Sequence, residues 1–132
     1  MTLISLLVGP FAAILVAAAI SLLNEPARRH FSAIFLAGAG AAYLSGGLMG
    51  WEFGFCAVIT WLAYRGLEDY RFIAAGWVLH TMWDLVHHFY GNPIVPFVPT
   101  SSAGCATCDL VLAWWYLRGA RPVTSWFRAR AV

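Results

Sequence analysis

One stretch of the chain decides the fold: residues 72–90 have the sequence FIAAGWVLHTMWDLVHHFY. A helix that crosses a membrane needs about 20 mostly apolar residues, and this stretch has that length and character. It also holds His80, His87 and His88, three of the four histidines of the chain, together with Asp84. Ionisable side chains are costly in hydrocarbon, so their presence in such a segment indicates a function.

The composition of the whole chain is typical of a membrane protein. Of its 132 residues, 61% are hydrophobic and 11% are charged, and the mean hydropathy is +0.73. We therefore predict an all-α, polytopic bundle of about five transmembrane helices that forms a single domain over residues 1–132. The predicted spans cover about residues 2–23, 31–45, 51–64, 72–90 and 102–117.

The arginines predict how the bundle is oriented, because loops rich in positive charge stay in the cytoplasm. All eight follow the first, third or fifth span: Arg28, Arg29, Arg65, Arg71, Arg118, Arg121, Arg128 and Arg130. The N-terminus is then outside and the C-terminus cytoplasmic, in a protein integral to a membrane, for which we expect the bacterial inner membrane. The sequence pI of 8.6 reflects these anchoring charges, so membrane lipid is an expected partner and nucleic acid is not.

Helical spacing groups the remaining polar residues. Side chains three, four and seven positions apart share a helix face, so His80, Asp84 and either His87 or His88 line one stripe of the fourth span. Glu52 lies near the outer end of the third span, and Asp109 lies near the middle of the fifth. If these spans are neighbours, all of these groups converge in the outer half of the bundle.

A divalent metal is the simplest compensation for carboxylates in that position. Imidazole nitrogen and carboxylate oxygen suit zinc, iron or manganese, and zinc is our first choice, with iron or copper as alternatives. The predicted metal ligands are His80, Asp84, His87 and His88. Asp109 and Glu52 are the predicted catalytic residues, acting as general base or completing the metal sphere. The alternative is a metal-free polar network in which His80 hydrogen-bonds to Asp109.

Two cysteines offer a second chemistry. Cys105 and Cys108 form a C-x2-C pair near the start of the fifth span, after a predicted helix N-cap at residues 100–102. A thiol redox pair, a disulfide or packing role, and a soft ligand for copper or zinc all remain open.

Small residues indicate close helix packing in the first two spans. The first span carries a row at Gly9, Ala13 and Ala17. The second has rows on two neighbouring faces: Ala33, Ala37, Ala41 and Ser45, and Gly38, Ala42, Gly46 and Gly50. These rows predict a helix pair within the chain or a homodimer through the second span.

The whole pattern resembles a group of small bacterial membrane proteins without assigned function, through GWEFG at residues 50–54, the block at 79–91 and the Cys-Asp block at 105–109. The ligand types also resemble those of ceramidase-like membrane hydrolases, which hold one zinc with three histidines and use an aspartate and a serine. That resemblance implies roles for the following residues: His80, His87, His88, Asp84 or Asp109, and Ser101 or Ser102. DLVHH at residues 84–88 is also similar to a histidine box of membrane fatty-acid desaturases, but those enzymes need more histidines than the four present here.

Three hypotheses about function follow. The first is a metal-dependent membrane hydrolase that acts on a lipid ester or amide. The second is a carrier or sensor of protons or metal ions. The third is a small accessory subunit of a membrane complex, whose polar core holds its helices together inside the larger assembly.

Overall fold

The computed structural model describes residues 3–126, which form an all-α bundle. Its helices are α1 (Leu3–Ile20), α2 (Ala27–Ala41), α3 (Gly50–Gly66), α4 (Tyr70–Tyr90) and α5 (Ser101–Leu117), followed by a 3₁₀ turn at Val123–Trp126. The prediction of five helices is confirmed for this part of the chain. The bounds of α3, α4 and α5 agree with the predicted segments within two residues, whereas α2 begins four residues earlier than predicted and ends four earlier.

Within residues 3–126, no helix combines the length and the apolar character that a membrane crossing requires.

The helices do not pack in chain order. Helix α5 lies between α1 and α4, while α3 lies between α2 and α4. The core between them is filled by aliphatic and aromatic side chains, among them Leu36, Ile73, Trp77, Leu112 and Trp115. This arrangement places α4, with its histidines, against both α3 and α5.

The small-residue row of α1 lies against α5. Ala13 and Ala17 are buried, and a Cβ atom at Gly9 would lie 2.0 Å from Thr107 Oγ1 and 2.3 Å from the carbonyl oxygen of Gly104. Only a residue without a side chain fits there, so the two helix backbones approach closely at this point.

The second helix uses its small residues differently. Gly40 is buried, and a Cβ atom there would lie 2.5 Å from Cγ2 of Ile59 on α3. Gly40 belongs to neither predicted row. Of the row members Ala33 is buried, whereas five are exposed: Gly38, Ala41, Ala42, Ser45 and Gly50. The predicted homodimer through this helix stays a prediction.

Arginine side chains tie the loops together at one end of the bundle, which we call the arginine end. Nε of Arg28 donates to the carbonyl oxygen of Leu23 at 2.9 Å, and its Nη1 donates to that of Ala120 at 3.1 Å. Nε of Arg29 donates to the carbonyl oxygen of Leu67 at 2.9 Å. These contacts gather the ends of α1, α3 and α5, so the opposite end, with the starts of α3 and α5 and the end of α4, is the arginine-free end. Arg128 and Arg130 lie outside the described residues.

Candidate metal centre

Helices α4 and α5 bring together His80, Asp84 and Asp109. One ligand atom from each of the three side chains lies within 4.8 Å of the others. Nδ1 of His80 is 2.8 Å from Oδ2 of Asp109 and 3.6 Å from Oδ1 of Asp84. His80 and Asp84 are one helical turn apart and so share a face, which α4 turns toward α5. We call these three residues, which could hold a metal ion, the metal centre.

The metal centre is shielded from water. His80 is 5% exposed, Asp109 is 4% exposed and Asp84 is fully buried. Two carboxylates at this separation repel each other strongly in a dry interior, and one imidazole supplies at most a single positive charge. Oδ2 of Asp84 has no hydrogen-bond partner among the described residues. The centre therefore has both the negative charge and the free oxygen that a cation requires.

The contacts of His80 identify the ring nitrogen that faces the carboxylates. Its Nε2 lies 3.1 Å from the carbonyl oxygen of Ala39 on α2. A carbonyl oxygen only accepts hydrogen bonds, so Nε2 carries a hydrogen and donates it. Metal-bound histidines commonly hold their second nitrogen in this way, which fixes the ring and leaves the other nitrogen for the ion.

Tyr43, just beyond the end of α2, completes the surroundings of Asp84. Its hydroxyl donates a hydrogen bond to Oδ1 of Asp84 and also lies 3.3 Å from Oγ of Ser102. The sequence analysis did not select Tyr43. The available signal was a lone tyrosine among the small residues at the end of the second predicted span, on the same side of the bundle as Glu52 and Asp84.

Glu52 and His87 form a separate buried pair beside the metal centre. Oε1 of Glu52 is 3.5 Å from Nε2 of His87, and each residue is 1% exposed. Both oxygens of Glu52 accept backbone N–H groups, from Gly46 at 2.9 Å and Leu48 at 2.8 Å. The carboxylate thus fixes the turn before α3 as well as facing His87.

Three aromatic and imidazole rings connect the pair to the metal centre. The ring of Tyr43 stacks on that of His87, with 4.1 Å between the centroids and 24° between the planes. Its centroid is 5.6 Å from that of His80. The two groups of ionisable side chains therefore lie on either side of one tyrosine.

The fourth histidine lies outside the metal centre. His88 is half-buried, its ring packs edge-on against Phe89 with 5.0 Å between centroids, and its Nδ1 has no partner among the described residues. Helical spacing alone does not exclude it from the face of Asp84, because the two residues are four positions apart. The structure thus unites Asp109 with two of the four predicted ligands, places His87 with Glu52, and leaves His88 apart.

The residues predicted as a helix N-cap have another use. Helix α5 begins at Ser101, but Thr100 makes no side-chain capping bond. Oγ of Ser101 accepts the N–H of Val95 at 3.0 Å, and Oγ of Ser102 accepts that of Ile94 at 3.1 Å. The two serine side chains therefore stabilise the loop before α5 instead of capping the start of the helix.

The cysteines on α5 are free thiols. Cys105 and Cys108 are both half-buried, as is Cys56 on α3, and no disulfide joins them. Their redox and metal-binding roles stay open.

A cavity of about 280 Å³ opens beside the metal centre at the arginine-free end. It lies between the end of α2 and the loop that follows α4, and it is lined by Ala42, Tyr43, Ser45, Gly46, Asn92, Pro93, Ile94 and Pro96. Among these lining residues, Tyr43 also contacts a member of the metal centre.

Comparison with known proteins gives one match. Residues 3–122 match the model of a family of unknown function, DUF6010. No curated protein and no solved structure matches the chain.

Proposed function

The chain belongs to DUF6010, a family of unknown function, and from the geometry of its buried site we propose that it is a membrane protein that binds a divalent metal ion. The observation that carries the proposal is the approach of three ligand atoms, from His80, Asp84 and Asp109, to within 4.8 Å of one another. One imidazole nitrogen and two carboxylate oxygens suit zinc best, with iron, manganese or copper as alternatives.

The surface of the bundle supports a membrane location. Large apolar side chains are exposed on the outer faces of the helices: Leu7, Phe11, Ile34, Trp61, Met82, Leu110 and Trp114. Water-soluble monomers rarely expose apolar patches of that extent. The described arginines gather at one end of the bundle, and the cavity beside the metal centre opens at the other. This favours a cytoplasmic arginine end and access to the centre from the outside in a bacterial inner membrane.

The chemistry we propose is hydrolysis of a lipid ester or amide. Catalytic zinc sites have three protein ligands and keep one position open, where the metal lowers the pKa of a bound water. Asp109 is the third ligand and would use one carboxylate oxygen for the metal, so its second oxygen would be the one that takes a proton from that water. Glu52 is held by two backbone N–H groups in the neighbouring pair, which makes it the less suitable of the two predicted bases.

Metal analysis of the detergent-purified protein tests the proposal. We expect about one divalent ion per chain in the wild type, and its loss in His80→Ala and Asp84→Asn, which each remove a ligand. His88→Ala is the matched control, since it removes a histidine of the same helix that lies outside the centre. A wild-type protein that folds and holds no metal at any added concentration contradicts the proposal. If metal is bound, turnover of neutral lipids after zinc addition tests the hydrolase reaction itself.

One observation favours a metal carrier as the second candidate. The Glu52–His87 pair lies directly across Tyr43 from the metal centre, so two histidine–carboxylate groups follow one another along the bundle. Successive sites suit ion passage, because an ion that binds too tightly at a single site cannot leave it. Zinc uptake into proteoliposomes, with loss in His87→Ala, distinguishes this function from hydrolysis.

A further inference from the structure

We propose that the cavity beside Tyr43 is the route by which a hydrated divalent cation reaches the metal centre, and that the side chain of Tyr43 is the gate between them. The inference rests on the proposed metal binding and adds the direction of entry, the class of ligand and the residue that controls its passage.

The position and size of the cavity suit an ion with its water shell. Its wall includes exposed residues from both sides, Ala42 and Ser45 after α2 and Asn92 and Pro96 in the loop after α4, so the cavity reaches the surface. A volume of about 280 Å³ holds about nine water molecules at about 30 Å³ each. That space accommodates a small cation with a full first hydration shell.

Tyr43 separates this cavity from the metal ligands. It lines the cavity, it is 1% exposed, and its hydroxyl donates to Oδ1 of Asp84. Asp84 itself is fully buried, so an ion in the cavity meets Tyr43 before it meets the carboxylate. Passage requires the phenol to swing aside and its hydrogen bond to Asp84 to break.

The distribution of charge selects a cation. The residues that line the cavity are all uncharged, and the described arginines lie at the far end of the bundle. Behind the wall are three buried carboxylates, those of Glu52, Asp84 and Asp109, with two imidazoles. A passage that ends in such a group lowers the energy of a positive ion and raises that of a phosphate or carboxylate ligand.

The structure also shows what holds the gate closed. The ring of Tyr43 stacks on that of His87, and His87 has little freedom to move. A Cβ atom at Gly46 would lie 2.3 Å from its Cε1, and one at Gly91 would lie 2.4 Å from its Nδ1. Two glycines thus leave just enough room for the imidazole, which fixes the plane against which Tyr43 rests.

The kinetics of cobalt binding test the route. Co²⁺ is added to metal-free protein in detergent, and its visible absorption reports both binding and release after a chelator is added. We expect Ala42→Phe, which puts a large ring into the cavity wall, to slow both rates by about tenfold or more while the equilibrium Kd is unchanged. A side chain that blocks the route raises the energy barrier equally for entry and for release, so the equilibrium Kd does not change. Ala41→Phe is the matched control, an exposed alanine one residue away that does not line the cavity.

A second variant allows the same test if Ala42→Phe does not fold. Pro96→Trp narrows the cavity from the opposite wall, and we expect it to slow cobalt binding and release in the same way. Unchanged rates in either folded variant, with an unchanged Kd, overturn the route while leaving the metal centre intact. A wild-type protein that binds no Co²⁺ overturns the metal centre, and with it the inference.

Discussion

Tyr43 and His87 are stacked face to face, with 4.1 Å between their ring centroids, although Tyr43 lies in the turn after α2 and His87 lies on α4. The hydroxyl of the same tyrosine donates to Asp84 at the metal centre. One side chain therefore contacts both groups of buried ionisable residues. A substitution that removes the hydroxyl but keeps the ring therefore distinguishes the contact with Asp84 from the contact with His87.

Removal of the Tyr43 hydroxyl should weaken metal binding without loss of the fold. Tyr43→Phe keeps the ring against His87 and deletes the hydrogen bond that orients Asp84. Loss of such a supporting bond typically lowers metal affinity by about 10- to 100-fold, and we expect a change of that size in a Co²⁺ or Zn²⁺ titration. Tyr64→Phe, at an exposed tyrosine of α3, serves as the control and should leave the affinity unchanged. Equal affinity in both variants would show that Tyr43 does not position the ligand.

Alanine substitutions at Gly46, which lies against His87, and at Gly38, which lies in open space, should change stability in opposite directions. Gly46→Ala places a Cβ atom 2.3 Å from Cε1 of His87, so the imidazole must shift, and we expect the free energy of unfolding to fall by about 1–3 kcal/mol. Gly38→Ala adds the same methyl group to an exposed position of α2 with no atom within 4 Å. There the better helix propensity should raise stability by about 0.5–1 kcal/mol. Denaturant unfolding in detergent measures both, and a stable Gly46→Ala protein would contradict the packing of His87.

The contact between α1 and α5 gives a second pair of glycine substitutions. Gly9→Ala brings a Cβ atom to 2.3 Å from a backbone oxygen of α5, which cannot rotate away as a side chain can. We expect the free energy of unfolding to fall by at least about 1–3 kcal/mol. Gly54→Ala, on a helical position with no atom within 4 Å, is the control and should not destabilise the protein. The same denaturant series measures both, and equal unfolding midpoints for the two variants would mean that α1 and α5 do not approach as described.

The loop before α5 depends on Ser102. Ser102→Ala removes the acceptor of the Ile94 N–H group and a neighbour of the Tyr43 hydroxyl. An N–H group left without an acceptor in a partly buried position costs about 1–3 kcal/mol, so we expect a loss of stability in that range. Hydrogen exchange should also become faster at the Ile94 amide. Ser125→Ala, at an exposed serine of the 3₁₀ turn, should change neither quantity.

The number and order of helices could be predicted from the sequence because apolar runs and their breaks are local properties. The sequence predicts the start of α2 at Phe31 instead of Ala27, because the charges of Arg28 and Arg29 are typical of a loop. In the structure Arg28 is largely buried and donates to two backbone carbonyl groups beyond its own helix, those of Leu23 and Ala120. Ala120 is 92 residues away along the chain, and a partner so distant leaves no local pattern.

The candidate site could be predicted in part for the same reason. Spacing along one helix predicts that His80, Asp84 and either His87 or His88 share a face, and in the structure His87 is the one buried with the other two. The hydrogen bond between His80 and Asp109, expected for the metal-free alternative, is present, but spacing does not reveal that His87 faces Glu52. The sequence does not point to Tyr43, because its role arises from contacts with two other helices, α4 and α5.

The pairing of α1 with α5 also bears on how the protein is made. Asp109 sits on the last helix of the bundle, and that helix rests on the first one through Gly9, Ala13 and Ala17. During synthesis α1 emerges long before α5. Its small-residue face therefore has no helix to pack against until nearly the whole chain has been translated. The metal centre is accordingly among the last features of the molecule to form, and shortened chains released before residue 109 have none.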